Sequence, residues 1–397
     1  MKQATNGPAE IRAETRLHGL DTLRAAAILW VMPYHLMGHF PQALHWPARF
    51  GWMGVDLFFV LSGYLISLQM LRPYLQGRKL AMGAFYARRA YRILPVFFAV
   101  LVLYVFVPVW RESPGLQPAW QFATFTENLL IDYGRNQAFS HAWSLCVEEH
   151  FYLLLPLLTV LLMRRPAAWK VYAALLGVLA FGICVRGLVV VHQLRPLGPD
   201  DENFAVIYLE KMYYPTYVRL DGLLAGVSLA LLQTFRPGWW SALTRRGHSL
   251  TFGGLAFVIL AGWMFLPRFE SLSGRALVGD LIGYPLLASG FALLTASALS
   301  RNGAVARVQV PGARLFATLA FSLYLTHKAA VHLLVTLFPG LPEGRYWMLP
   351  VYLGVCVLVA AAFYIGVEKP FLKLRESRAE GRARLSFDLE ARADPAI

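Results

Sequence analysis

About ten runs of some 20 apolar residues, joined by short polar connections, make up most of this chain and leave few folds open to it. A helix needs about 20 residues to cross the ~30 Å hydrocarbon core of a bilayer, where only helices and closed barrels satisfy every backbone group. The runs fall at 19–40, 52–72, 92–110, 143–163, 171–191, 213–234, 249–266, 277–299, 314–337 and 347–367. They are continuous rather than alternating with period two, which excludes a transmembrane barrel. Composition agrees, since 57% of the 397 residues are apolar and only 15% are charged, unlike a soluble domain. The expected fold is an all-α polytopic membrane protein: a cytoplasmic leader over 1–17, a transmembrane domain over 18–371 and a charged cytoplasmic tail over 372–397.

Lysine and arginine in the connections set the expected orientation. With the amino terminus cytoplasmic, the inner segments hold Lys2, Arg12 and Arg16; Arg72, Arg78, Lys79, Arg88, Arg89 and Arg92; Arg164, Arg165 and Lys170; Arg236, Arg245 and Arg246; and Arg301, Arg307 and Arg314. The outer ones hold only Arg49, Arg111, Arg135, Arg195, Lys211, Arg268, Arg275 and Arg345. This is the positive-inside pattern, and it predicts both termini in the cytoplasm. Basic loops beside anionic lipid also account for the net charge of +14 without invoking nucleic acid. The polar leader has no signal-peptide pattern, so the first helix is expected to act as its own signal anchor. The three cysteines, Cys146, Cys184 and Cys356, lie inside apolar runs at no metal-binding spacing, and no metal is expected.

Against this apolar background a few ionisable residues stand out. Arg24 and His35 share the first run, and eleven residues at ~100° each bring them to one helix face, roughly 16 Å apart along the axis. Ionisable groups at membrane depth are costly and mark functional sites. With the inferred topology, His35, Asp56, Glu148, Glu149, Arg219 and Asp221 fall in one layer some 6–12 Å below the outer surface at ~1.5 Å per residue. A histidine and carboxylates in one layer form the composition of general acid and base chemistry. Asp56, Ser62, Glu149, Arg219, Asp221 and His327 are candidate pocket residues. Arg219, two residues from Asp221, reads first as a satisfied ion pair, and Ser62, before a glycine, as a packing group. Lys328 follows His327 in the same run and is expected to line the same cavity.

The inner side is cationic. "FYARRAYRILP" places Arg88, Arg89 and Arg92 at spacings of three and four, so one of the first two can converge with Arg92 on an anion. Together with Arg24 they make a basic mouth below the histidine, a layout suited to a long polyanionic donor with the shape of a coenzyme A thioester. Aromatics crowd the outer ends, among them Trp46, Trp52, Trp110, Trp120, Tyr133, Trp143, Tyr208, Tyr213 and Tyr214, and are expected to form an interfacial belt before any sugar platform.

Seven strings in order carry a resemblance: "LDTLRAAAILWVMPYH", "GVDLFFVLSGYLIS", "RRAYRILP", "HAWSLCVEEHFYLLLP", "YYPTYVRLDGLLAG", "FSLYLTHKA" and "VEKPF". Over about residues 18–371 the chain resembles the acyltransferase-3 family of multi-pass membrane O-acyltransferases. The resemblance implies transfer of an acyl group, commonly acetyl, from a cytosolic acyl-CoA to a hydroxyl of a carbohydrate or lipid-linked glycan, in the bacterial inner membrane. It also implies His35 as the catalytic histidine, Arg24 as its motif partner, Arg89 and Arg92 as a basic pair, and Glu148 with Phe151 and Tyr152 as an acidic motif. On this reading Glu148 is expected to orient His35, as a buried carboxylate orients a triad histidine, while Tyr152 lines the pocket. His150 stands where relatives often have a polar amide. Direct transfer with His35 as base and an acyl-histidine intermediate both fit. A proton-coupled transporter or flippase of a sugar or lipid-linked sugar is the alternative from another class, because histidine and carboxylates at membrane depth also mark relays.

Overall fold

The computed structural model describes residues 18–78, 81–165, 167–197, 201–266 and 277–378. The leader with Lys2, Arg12 and Arg16, the loop residues Lys79, Arg268 and Arg275, and the tail from 379 onward lie outside the described residues.

Ten principal helices carry the fold: α1 (His18–His35), α2 (Met53–Leu75), α3 (Met82–Phe106), α4 (Trp143–Arg164), α5 (Ala168–Val189), α6 (Asp221–Phe235), α7 (Gly247–Phe265), α8 (Tyr284–Ala298), α9 (Ala313–Leu337) and α10 (Leu349–Phe363). The described residues form no strand beyond one isolated bridge, Leu116 to Ala138. Eight helical segments among them are long and apolar enough to cross a membrane. The two expected runs outside that count are α1, whose 18 residues include His18, Asp21, Arg24 and His35, and α6, which at 15 residues is short. Several helices end in single π-helical turns, including Tyr364–Glu368 after α10, a local widening that often accompanies function.

Close packing of the central helices depends on small residues, as expected where lipid gives no hydrophobic drive between them. At Gly63 on α2 an added Cβ would lie 2.2 Å from the Leu223 carbonyl oxygen, and at Gly226 on α6 it would lie 2.2 Å from that of Val60. The α2–α6 crossing therefore admits glycine alone at these two points. Around this pair α1 lies against α2 and α9, α7 against α8, and α9 against α10. Their lipid-facing sides are leucine-rich, with Leu153, Leu154, Leu157, Leu158 and Leu161 of α4 all exposed.

Two ion pairs pin the bundle from within. Arg219 Nη2 donates to both carboxylate oxygens of Asp56, at 3.0 and 2.9 Å, and both side chains are buried. Its guanidinium also lies 4.4 Å from the Tyr213 ring centroid, 4.5 Å from that of Tyr284 and 5.0 Å from that of Trp143. Asp221, the first residue of α6, pairs instead with Arg186 of α5 at 2.8 and 3.1 Å, and Arg186 also donates to the Val218 carbonyl at 2.7 Å. The expected Arg219–Asp221 pair is thus replaced by two pairs between distant segments. Two residues apart, Arg219 and Asp221 stand on either side of the entry to α6 and reach different neighbours. The aromatic expectation is corrected too: Trp52, Trp110, Trp143, Tyr208, Tyr213 and Tyr214 are buried, Trp143 and Tyr213 face the Arg219 guanidinium and Trp52 packs on Tyr213, while Trp46 and Trp120 stay exposed.

Candidate active site

Two cavities share α1 and α9 in their linings. The first, about 230 Å³, is lined by Arg24 of α1, Ser62 and Gln69 of α2, Arg89 and Arg92 of α3, Ser144, Glu148 and Tyr152 of α4, Tyr324 of α9 and Glu368 after α10. Glu148 accepts from Ser62 Oγ at 2.8 Å and from the Tyr152 hydroxyl at 2.7 Å. Arg89 stacks over the Tyr152 ring at 4.3 Å, so the arginine and the carboxylate are held by the same tyrosine. Ser322 of α9 donates to Glu368 at 2.8 Å, and Arg24 lies 3.6 Å from Asp21 one turn earlier. Three guanidinium groups facing two carboxylates leave this cavity cationic, which suits phosphate groups.

The second cavity, about 260 Å³, is lined by His35, His39, Glu112, Ser113, Tyr133, Gln137, Lys328 and His332. Lys328 Nζ lies 2.7 Å from Glu112, which also accepts from the Phe139 amide at 3.1 Å. Burial alone would raise the Glu112 carboxyl, but the adjacent Lys328 ammonium outweighs it and holds the group below the usual carboxylate range. At neutral pH the Glu112 carboxylate is therefore ionised.

A wall of side chains divides the cavities. Tyr324 donates to the His141 carbonyl at 2.8 Å and bonds Ser144 Oγ at 2.6 Å, while His141 packs its ring 5.3 Å from His327 and 5.9 Å from His35. His35 Nδ1 lies 2.8 Å from His327 Nε2, with the two rings stacked at 5.0 Å. Three histidines meet here. Among the described residues, nevertheless, no set of three or more His, Cys, Asp or Glu side chains is arranged to hold a metal ion.

The single polar layer expected from depth is therefore two separate sets. Glu148 does not orient His35: its oxygens are taken by Ser62 and Tyr152 in the arginine cavity, and the partner of His35 is His327. Arg24, Arg89 and Arg92 converge as expected, whereas Arg88 is exposed outside that cavity. Ser62 and Tyr152 line the cavity. Asp56, Arg219 and Asp221 line neither cavity, being used in the two ion pairs, and Glu149 lines neither. His150 bonds Thr216 at 2.7 Å, on the face of α4 turned away from Glu148. Sequence reasoning missed Arg186, Glu112 and His141, each placed by contacts far along the chain. It also missed Glu127, fully buried with neither carboxylate oxygen bonded, whose carboxyl burial pushes well above the usual range.

The described residues thus form a helical membrane-protein bundle with an arginine-lined cavity and a second polar cavity, with contacts among Tyr324, His141, His327 and His35 running between them. A family model described as an acyltransferase domain matches residues 17–365, and the chain belongs to that family, acyltransferase-3. It is similar to the O-acetyltransferase OatA of Staphylococcus aureus, 29% identical over 234 residues, covering 54% of this chain and 34% of that protein. It is also similar to the peptidoglycan O-acetyltransferase OatA of Listeria monocytogenes, 28% identical over 229 residues with the same coverage. A putative O-acetyltransferase of S. aureus is 25% identical over 402 residues, 93% of this chain and 59% of its own length. The chain thus spans about a third of the length of the two OatA relatives. No solved structure matches it.

Proposed function

We propose that the chain is a membrane O-acyltransferase that moves an acyl group, commonly acetyl, from acyl-CoA to a hydroxyl of a glycan, with both termini in the cytoplasm of a bacterial inner membrane. The observation that carries this reading is His35, set in the wall between a cavity with three arginines and a cavity with Lys328, His39 and His332. Arg24, Arg89 and Arg92 bind the donor's phosphates, Arg89 and Arg92 through planar forks that match them. The thioester carbonyl reaches the wall, and the acceptor enters beside His35. His35 takes the hydroxyl proton, the oxygen bonds the carbonyl carbon, the C–S bond breaks, and the CoA thiolate leaves with that proton. Lys328 lies on the acceptor side, where its charge favours the tetrahedral oxyanion. The Listeria relative's name gives peptidoglycan as its substrate, and a glycan polymer or its lipid-linked precursor is the acceptor class proposed here.

Arg89→Gln and Arg92→Gln are expected to weaken CoA binding about 10- to 100-fold, the range of one charge-assisted hydrogen bond, with lysine restoring part of it. Calorimetry with CoA on purified protein decides this. Unchanged affinity in both variants rejects the donor site. For the orientation, an impermeant thiol reagent on intact spheroplasts of a cysteine-free background should label a cysteine at 202 and leave one at 76 untouched. The reverse pattern overturns the assignment.

A further inference from the structure

The hydrogen bonds around His327 determine where its proton sits. Its Nδ1 lies 2.9 Å from two carbonyl oxygens of its own helix, those of Leu323 and Tyr324. Carbonyl oxygens only accept, so Nδ1 carries a hydrogen and is shared between them. In the neutral ring that leaves a lone pair on Nε2, and Nε2 faces His35 Nδ1 at 2.8 Å. An acceptor at that position requires a donor, so His35 carries its hydrogen on Nδ1 and its lone pair on Nε2.

We infer that His327 is a positioning residue which, through its own backbone-locked tautomer, holds the His35 ring with its basic Nε2 free for the acceptor hydroxyl. This deepens the acyltransferase reading and rests on it. The arrangement supplies what a buried carboxylate supplies in a triad, orientation and tautomer, without a negative charge. His327 is fully buried and anchored on α9, the helix that also supplies Tyr324 to the wall and Lys328 to the acceptor cavity, so one rigid element sets all three. When His35 takes a proton at Nε2, its Nδ1–H still donates to His327, and the imidazolium keeps a partner. Were His327 protonated on both nitrogens, it would donate to His35 Nδ1, place the hydrogen of His35 on Nε2 and block the base.

The test compares His327→Leu with His327→Gln in purified full-length protein, using acetyl-CoA and a glycan oligomer as acceptor. Leucine removes the acceptor atom and is expected to lower kcat about 10⁴-fold, the loss seen when a catalytic histidine is left in the wrong tautomer, with KM for acetyl-CoA within two-fold and unchanged Tm. Glutamine can offer its carbonyl oxygen to His35 and is expected to recover at least about ten-fold of that loss. Equal losses in the two variants, or a kcat near wild type for leucine, overturn the positioning role. A second measurement needs no variant to fold: ¹⁵N spectra of histidine-labelled wild-type protein should report His35 and His327 both protonated on Nδ1, and His35 protonated on Nε2 overturns the inference. His35→Ala run beside them separates the two levels. Its activity loss together with a fully active His327→Leu defeats the inference alone, whereas an active His35→Ala defeats the acyltransferase role of the site itself.

Discussion

His35→Ala is expected to lower acyl transfer by roughly 10²- to 10⁴-fold, the span that a positioned general base contributes. The ring is half-buried and makes one hydrogen bond, to His327, so its loss should leave expression and thermal stability in detergent near wild type. CoA affinity should also persist, because the arginine cavity is built from other residues. Glu148→Gln is expected to behave differently. Its carboxylate holds Ser62 and Tyr152, and Tyr152 in turn stacks on Arg89, so the variant should weaken donor binding more than turnover. With the two residues in separate cavities, their effects should combine close to additively. Release of CoA thiol at saturating donor, compared across the two single variants and the double, checks this. Full transfer by His35→Ala would remove the histidine from the chemistry.

The largest expected effect on stability comes from Asp56→Ala. It leaves the Arg219 guanidinium buried with one remaining hydrogen bond, donated to the Tyr213 carbonyl at 3.2 Å, and the faces of three aromatic rings. Breaking one partner of such a pair costs about 3–5 kcal/mol, because the remaining charge keeps its desolvation penalty without its counter-ion. For a domain of this size that corresponds to a fall in Tm on the order of 10 °C. Replacing both partners by apolar groups, Asp56→Leu with Arg219→Met, should be less damaging than Asp56→Ala alone, since no charge is then stranded. Thermal unfolding in detergent, followed by intrinsic tryptophan fluorescence, reads both. An Asp56→Ala protein as stable as wild type would mean that Arg219 reaches water in the folded state.

Much of the architecture could be read from the chain, because a long apolar run in a polytopic protein has one way to satisfy its backbone. Arg24 and His35 were legible for the same reason: on a single helix the spacing of eleven residues fixes a shared face whatever the neighbours do. Glu148 was not. Distance from a helix end gives a residue's height in the membrane but says nothing about which neighbour it faces, and α4 turns Ser144, Glu148 and Tyr152 toward the arginines. The ion pairs failed for a related reason. Proximity in sequence favoured Arg219 with Asp221, whereas the bonds join Arg219 to Asp56 across 163 positions and Asp221 to Arg186 across 35. His327 was visible as an ionisable residue in an apolar run, but its role depends on two carbonyls of its own helix turn and on a ring 292 positions away. Trp143 misled because an aromatic near a helix end suits an interface and a cation's cage equally well.

The wall of Tyr324, Ser144, His141 and His327 bears on how a cell tolerates such a protein. A bilayer under 100 mV stores about 2.3 kcal/mol for each elementary charge that crosses it, and a water-filled path between two aqueous cavities would dissipate that store continuously. Aromatic and imidazole rings pack between the two cavities, so protein atoms stand where a continuous water path would otherwise carry ions. An uncharged acyl unit does no work against the field as it passes from sulfur to oxygen. In the orientation proposed above, a thioester on one face would modify a glycan on the other without an open ion path between the cavities.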